Sequence, residues 1–228
     1  MSDSVLNQPL VRHPAVPGPV GLTVTVDRLP ADDPSRPLRL RYRVAGDPAA
    51  LRWPAPLAAG EAARQDGLWR HTCFEAFLGL PAAPAAAPAM TQAVPAAPAT
   101  GYLEFNFAPS GAWAAYRFDG YRAGMRAEAL SVEPRIALRH GAHAVDVEVA
   151  IAWPALPAVL AASGGPSPMA VSTGGATPLA AARRLRLGLT AVLEAADGSL
   201  SYWALRHPAE RPDFHNDGGF QLEVEVPG

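Results

Sequence analysis

The sequence contains no lysine and a single cysteine, Cys73, in 228 residues. One cysteine excludes an internal disulfide and a zinc cluster built on cysteines. All 19 basic residues are arginines, and with 21 acidic residues they leave a formal net charge of −2. A balance so close to zero offers no basic footprint for nucleic acid or for an anionic membrane. The sequence therefore predicts neither a nucleic-acid partner nor a membrane partner.

Long apolar runs and catalytic motifs are also lacking. No stretch reaches the roughly 18 uninterrupted apolar residues that span a bilayer, and residues 1–20 lack a charged start followed by an apolar segment. We therefore expect a soluble, cytoplasmic protein. The chain has no glycine-rich phosphate loop, no G-x-S-x-G elbow and no CxxC pair. No residue is assigned a catalytic or metal-binding role, and a non-catalytic protein is expected.

Short runs of alternating apolar and polar residues dominate what the sequence does contain, in a chain that is 49% hydrophobic. Alternation with a period of two indicates half-buried strands. Roughly ten such runs at regular spacing predict one all-β domain over residues 20–226, either a sandwich or a barrel. Residues 1–19 are expected to be a flexible N-terminal extension, and 153–162 is the one stretch that predicts a short helix.

Two pairs of runs are spaced as hairpins. VEPRIALRH and HAVDVEVAI are separated by Gly141 and Ala142, and RRLRLGLTAVLE and LSYWALRH are separated by a turn that contains Asp197 and Gly198. Short connections rich in glycine and aspartate are typical of turns between antiparallel strands. We therefore predict that each pair forms neighbouring strands.

Two tracts interrupt the strand pattern. Residues 81–100, PAAPAAAPAMTQAVPAAPAT, and 163–178, SGGPSPMAVSTGGATP, are rich in proline, alanine, glycine and serine. Such compositions favour extended, solvated loops. Both tracts are longer than ordinary connections, which indicates a functional or a disordered loop, and their composition favours disorder. Because good strands flank them, we predict insertions within one domain.

The run LWRHTCFEAFLGL, residues 68–80, mixes chemically capable side chains with aromatic ones. Residues i and i+2 of a strand share a face. One face of a strand over 68–78 would then carry Trp69, His71, Cys73, Glu75 and Phe77. The opposite face would be mainly apolar, so this strand is predicted to separate a hydrophobic core from a polar surface.

A matching run, GYLEFNF at residues 101–107, follows the first tract. In an antiparallel hairpin of suitable register, the apolar sides of both strands share the core and the polar sides share the other face. We predict that this other face is a concave ligand-binding surface formed by Trp69, His71, Glu75, Tyr102, Glu104 and Asn106. Aromatic platforms beside carboxyl and amide groups suit a sugar or another planar ligand. The alternatives are an ordinary solvent-exposed face and packing beneath a long loop.

Further polar and aromatic residues are candidates for the rim of this site, namely Trp113, Arg117, Trp203, His207 and His215. The histidines and Asp213 occur in the order that some metal sites show, but without the helical spacing of a zinc site. An irregular crossover, in which Asp213 caps a turn and Phe214 fills the core, is the favoured interpretation. Cys73 is predicted to be a small buried hydrophobic residue.

The segments LWRHTCFEAFL, YLEFNFAPSGAWAAYRFDGYR and LTAVLEAADGSLSYWALRHPAERPDFH resemble the bacterial DOMON-like family, over roughly residues 20–226. This family is related to the DOMON and family-nine carbohydrate-binding-module superfamily. The resemblance implies a jelly-roll-like β-sandwich with a ligand site on one sheet or its rim. Superfamily members bind haem or sugars. Glu75 and the strand with Glu104 and Asn106 correspond to an acidic strand followed by an aromatic one.

The predicted function is non-covalent binding of a small ligand, most plausibly a carbohydrate. Trp69 and Tyr102 would stack on the ligand, and the other four face residues would bind its hydroxyls. Three alternatives are open. Haem binding would use His71 or His207 with Met125. Glycoside hydrolysis would use Glu75 and Glu104 but is disfavoured, and protein interaction would use the proline-rich loops.

Overall fold

The structure is a computed structural model that describes residues 7–33, 36, 38–61, 63–80, 101–152 and 184–225. Within these ranges the chain forms twelve strands and three short 3-10 helices. The strands are β1 (Gln8–Arg12), β2 (Thr23–Leu29), β3 (Leu38–Ala45), β4 (Cys73–Gly79), β5 (Tyr102–Phe107), β6 (Trp113–Phe118), β7 (Arg126–Ala127), β8 (Arg135–His140), β9 (Ala144–Ile151), β10 (Arg184–Glu194), β11 (Leu200–Ala204) and β12 (Leu222–Glu225). The 3-10 helices are Pro48–Ala50, Leu68–Arg70 and Asp217–Gly219. The predicted all-β class is confirmed.

The strands form one continuous order, β7-β6-β5-β4-β10-β11-β1-β2-β3-β9-β8, and β12 pairs with β10. This sheet curls into two layers around a common hydrophobic core, with β1 pairing with β11 of one layer and β2 of the other. Tyr42 of β3 connects the layers, because its ring packs against Phe74 of β4 and its hydroxyl donates to the Glu75 carbonyl oxygen at 2.7 Å. The fold is therefore a β-sandwich.

Both predicted hairpins are present. β8 pairs antiparallel with β9, with Ile136 opposite Val149. β10 pairs antiparallel with β11, with Val192 opposite Tyr202. In the turn of the second hairpin, Asp197 accepts a hydrogen bond from the Ser199 backbone N–H at 2.9 Å. The turn residues and the alternating pattern thus both indicate the hairpins that the structure contains.

Residues 7–19, the described part of the stretch 1–19, differ from the prediction of a flexible extension. Gln8–Arg12 form β1, where Leu10 is buried in the core opposite Val24 and Val11 lies opposite Ala204. This strand presents a single inward apolar residue, so five residues carry too little alternation to be recognised. It pairs with β2, the next strand along the chain, and with β11, which is distant in the sequence.

The run 68–78 is also not one strand. Leu68–Arg70 form a 3-10 helix that follows Gly67, whose φ of 77° lies in the left-handed region. β4 begins only at Cys73. The alternation of the sequence continues across this break by coincidence, so Trp69 and His71 do not share a strand face with Glu75.

The predicted helix 153–162 and the tracts 81–100 and 163–178 lie outside the described residues. In the part of the chain that is described, no helix combines the length and the apolar character needed to cross a membrane.

Candidate functional site

The polar and apolar sides of β4 and β5 are matched by the register of their pairing. Glu75 lies opposite Asn106, and Phe77 lies opposite Glu104. The apolar sides of both strands project into the core between the layers with Phe74, Ala76, Leu78, Leu103, Phe105 and Phe107. The polar sides project from the opposite surface of the sheet. The predicted division into two faces is therefore present.

This second face is covered by other parts of the chain, because every residue of β4 and β5 is buried. We call residues 205–221, which connect β11 to β12, the covering segment. Its Phe220 stacks on Phe77 with ring centroids 5.6 Å apart. Phe220 also lies directly over Gly188 of β10, where a Cβ atom would come within 2.6 Å of the Phe220 ring. Glycine in the interior of this strand thus permits the close approach of the covering segment.

A pocket of about 370 Å³ lies between the sheet and its cover. Its volume is within the roughly 300–1,000 Å³ that is usual for small-molecule sites. The floor consists of residues from β4, β5 and β10, namely Glu75, Phe77, Glu104 and Val192. The walls consist of Trp69, Phe118, Arg122, Met125, Tyr202, Pro212, Phe214 and His215. Where the sequence predicts a concave surface, the structure has a covered pocket with an acidic floor and aromatic walls.

Glu75 is held at the floor by a short hydrogen bond. It is 3% exposed, and its Oε2 accepts a hydrogen bond from the Thr190 hydroxyl at 2.8 Å. Burial, reinforced by the nearby Glu104 carboxyl and opposed by the Thr190 hydrogen bond, raises the pKa of Glu75 to about 8. Glu75 therefore retains its proton at neutral pH.

Glu104 has one satisfied and one unsatisfied oxygen. It is 5% exposed, and its Oε1 accepts a hydrogen bond from Asn106 Nδ2 at 2.7 Å. Its Oε2 is buried without a hydrogen-bond partner, at 3.8 Å from His215 Nδ1. Burial raises the pKa of Glu104 to about 7, against the opposing effects of Asn106 and Arg122. Because a buried unpaired acceptor costs on the order of 1–3 kcal/mol, Oε2 is suited to a donor group from a ligand.

A hydrogen-bond network connects the covering segment to the turn after β6. The Tyr102 hydroxyl is hydrogen-bonded to His215 Nδ1 at 2.8 Å and accepts a bond from the Arg122 backbone N–H at 3.4 Å. The Arg122 guanidinium donates to Asp213 Oδ1 at 2.8 and 3.2 Å. Burial, together with Arg122, lowers the pKa of His215 to about 4. The histidine is therefore neutral at neutral pH, and Arg122 is paired with Asp213.

The aromatic walls are fixed by edge-to-face contacts. Trp69 meets Tyr116 at a centroid distance of 5.7 Å, Phe118 meets His215 at 5.0 Å, and Phe214 meets Tyr202 at 6.0 Å. Such contacts hold rings in place while leaving part of their surface to the pocket.

The six residues of the predicted face are not all brought together. Trp69, Glu75 and Glu104 line the pocket. Tyr102 and Asn106 lie behind it, where they position His215 and Glu104. His71 is separate from the pocket, because its exposed ring bonds Glu194 Oε2 at 2.7 Å. The break between the 3-10 helix and β4 accounts for this displacement.

Of the five predicted rim residues, His215 alone lines the pocket. Trp113 and Trp203 are buried in the core between the layers, because both are at the inward parity of their strands. Arg117 pairs with Glu128 at 3.4 Å and does not line the pocket. His207 bonds the Val11 carbonyl oxygen at 2.8 Å and packs edge-on against His13.

Several wall residues are not among the sequence candidates, notably Phe118, Arg122, Tyr202 and Pro212. Phe214 is recognised in the sequence analysis, but as a filler of the core. The signal that was available is Gly188, because a glycine inside a strand pattern indicates close approach of another segment. It does not identify which segment approaches, so the cover could not be derived from it.

In the described part of the chain, the residues considered as metal or haem ligands do not lie together. In that part of the chain no group of three or more histidine, cysteine or acidic side chains could hold a metal ion. Met125 lines the pocket, whereas the two histidines considered with it for haem, His71 and His207, do not. Cys73 is buried on the same face as Glu75, and burial raises the pKa of its thiol, in accord with its prediction as a small buried residue.

No family model and no curated protein matches the sequence. Among solved structures, the chain is similar to two structures of a carbohydrate binding module of family 9 (CBM9) from Caldicellulosiruptor kristjanssonii. The one in complex with cellotriose is 9% identical, with a TM-score of 0.46 over 98% of this chain and 83% of that chain. The one in complex with glucose is 11% identical, with a TM-score of 0.42 over 100% of this chain and 88% of that chain. We therefore base the functional proposal on the pocket itself.

Proposed function

We propose that this protein binds a small carbohydrate in the pocket above β4 and β5 and does not alter it chemically. The observation that carries the proposal is Glu104 Oε2, a buried acceptor without a hydrogen-bond partner in a residue that lines the pocket. A sugar hydroxyl is a donor that would satisfy it. Glu75, protonated at neutral pH, would in turn donate to a hydroxyl oxygen.

The walls supply the apolar half of sugar recognition. Trp69, Tyr202 and Phe214 present ring surface beside the acidic floor. The C–H faces of a sugar ring pack on aromatic rings, while its hydroxyls bond carboxyl groups at the edges. Fixed rings and a fixed floor also reduce the entropy lost on binding.

Binding is favoured over hydrolysis by the placement of the two carboxyl groups. Glu75 and Glu104 project from neighbouring strands into one floor, so both would lie on the same side of a bound ring. Hydrolysis requires two carboxyl groups that flank the scissile bond. Burial raises the pKa of both groups, which does not separate them into an acid and an ionised base.

The experiment that tests the proposal is a glycan array followed by calorimetric titration of each binding sugar. Trp69→Ala is expected to weaken binding about tenfold or more through lost stacking. The matched control is Trp53→Ala, because Trp53 is also half-buried but packs against His140 and does not line the pocket. Its affinity is expected to stay unchanged. An empty array, or equal affinity in wild type and Trp69→Ala, would contradict the proposal.

Haem and protein binding are tested on the same preparation. Reconstitution with haem is expected to give no Soret band. His71 and His207 lie outside the pocket that Met125 lines, and His215, which does line it, is hydrogen-bonded to the Tyr102 hydroxyl. Pull-downs that compare the full chain with a deletion of 81–100 are expected to give the same partners. A Soret band, or a partner lost on deletion, would favour the corresponding alternative.

A further inference from the structure

We infer that the ligand is an amino-substituted sugar whose protonated amine sits against the floor formed by Glu75 and Glu104. The inference rests on the proposed function, because it takes the same pocket and adds one charge to the ligand. A neutral sugar would satisfy the hydrogen bonds of the floor. A cationic group would also supply the positive charge that the floor lacks.

The first support is the pairing of two buried carboxyl groups. Both are more than nine-tenths buried, on adjacent strands, and Glu104 Oε2 has no hydrogen-bond partner. Placing two acids in one apolar pocket is unfavourable unless they are protonated or face a cation. An ammonium group with three N–H donors could reach both carboxyl groups at once.

No positive charge comes from the sheet side of the floor. The titratable groups that face Glu104 there are Glu75 and Cys73 on β4, Tyr102 on β5 and Tyr116 on β6. Each of them is either neutral or negative in every protonation state. The sheet therefore adds nothing that would balance a carboxylate.

The covering side contributes charges that already balance one another. Its titratable groups facing the floor are Arg122, Asp213 and His215. Arg122 is paired with Asp213 at 2.8 Å, and His215 is neutral because burial lowers its pKa to about 4. Among the described groups that line the pocket, Arg122 is the cation that acts on Glu104, and its charge is shared with Asp213.

The walls are also suited to a cation. Trp69, Phe118 and Phe214 line the same pocket as the two carboxyl groups. Aromatic faces attract cations electrostatically, and the attraction is larger where water is excluded. An acidic floor between aromatic walls therefore favours an ammonium group over a hydroxyl in the same position.

The test compares three probes of similar size in calorimetric titrations of the full chain, from about pH 5 to about pH 8. They are glucose, 6-amino-6-deoxyglucose and cyclohexylamine. The amino sugar is expected to bind about tenfold or more tightly than glucose at the upper pH. This ratio should fall toward one at the lower pH, where both carboxyl groups are protonated. Cyclohexylamine, which lacks the hydroxyls, should bind more weakly than the amino sugar.

A second measurement does not depend on any variant. Titrations at about pH 6.5 in two buffers of different ionisation enthalpy give the number of protons exchanged on binding. The amino sugar is expected to release protons, because the ammonium group stabilises the ionised carboxyl groups. Glucose is expected to release none.

Glu104→Gln provides the matched variant, since it keeps an acceptor for Asn106 but cannot ionise. It should lower the amino-sugar preference several-fold and reduce the proton release to the share that comes from Glu75. Glu225→Gln removes one charge from an exposed position of β12 and should leave both unchanged. Equal affinity for glucose and the amino sugar overturns the inference but leaves the proposed function standing. Absence of binding by all three probes overturns the inference, and together with an empty glycan array it overturns the proposed function. Tighter binding of cyclohexylamine than of the amino sugar overturns the sugar class.

Discussion

The two faces of β4 and β5 are equally buried and chemically opposite. One face contributes Phe74, Phe105 and other apolar residues to the core between the layers. The other contributes Glu75, Glu104 and Asn106, of which none is more than 5% exposed. Burial alone therefore does not separate the structural core from the candidate site. The polarity of the buried residues does, because buried acids are retained only where something other than packing requires them.

The contrast extends to how each face is closed. The inner face is closed by a second layer of regular strands, with Tyr42 bridging to the Glu75 carbonyl oxygen. The outer face is closed by the irregular covering segment, which leaves a pocket of about 370 Å³. A regular layer fills space at close to crystal density, whereas a loop that contacts the sheet at a few aromatic residues leaves room for a ligand.

The largest expected effect comes from truncating the inner face. Phe105 is fully buried between the layers, so Phe105→Ala should lower the free energy of unfolding by about 3–5 kcal/mol through the cavity it creates. Urea denaturation of both proteins measures this difference.

Phe214→Ala makes the same truncation on the outer face and serves as the comparison. Phe214 is half-buried in the pocket wall, so we expect a loss of about 1 kcal/mol in stability together with weakened sugar binding. An equal loss of stability in the two variants would remove the distinction between core and site.

A smaller effect is expected from pH, and it arises on the outer face alone. The raised pKa values of Glu75, about 8, and Glu104, about 7, mean that unfolding releases their protons at neutral pH. Stability from these groups is complete below the unfolded pKa and is lost as pH rises through the folded pKa. His215, with its lowered pKa of about 4, acts in the opposite direction but only below its unfolded value. Between about pH 6.5 and pH 8, stability should thus fall by on the order of 2 kcal/mol.

Two variants, one on each face of the sheet, test whether the change of stability with pH comes from the outer face. Glu104→Gln should make the decline with pH shallower, because it removes one titrating group and the charge that raises the pKa of Glu75. Phe105→Leu on the inner face should lower stability at every pH without changing the slope. Urea denaturation at several pH values measures both, and a wild-type stability that is flat or rising over this window would show that the two acids are ionised without penalty.

The two faces of β4 and β5 could be predicted from the sequence, because residues i and i+2 of a strand lie on the same face. A period of two assigns Phe74 and Glu75 to opposite faces, and the turn signals give the hairpins that surround them. The same rule failed at Trp69, because a 3-10 helix can interrupt a run whose apolar pattern continues unchanged. Trp113 was assigned to the rim without use of this rule, although the period of two places it opposite Phe107 in the core.

The position of the covering segment could not be predicted from the sequence, for a different physical reason. Phe214, His215 and Phe220 belong to a segment without periodicity, and its position depends on contacts with strands far away in the chain, such as Phe220 over Gly188. The raised pKa values of the floor acids follow from that cover, not from the strands. An exposed and a covered polar face have the same sequence pattern, and only the tertiary contacts distinguish them.

The smallest expected effect isolates one hydrogen bond on the outer face. Thr190→Val removes the hydroxyl that donates to Glu75 Oε2 at 2.8 Å while keeping the shape of the side chain. We expect a loss of about 1 kcal/mol at neutral pH. Because the Thr190 bond lowers the pKa of Glu75, its removal should also extend the decline of stability to higher pH. Thr190→Ser, which keeps the hydroxyl, should retain the wild-type pH profile, measured by the same denaturation series. If valine and serine gave identical profiles, Glu75 would not depend on this bond, and the acidic floor would be set by burial and by Glu104 alone.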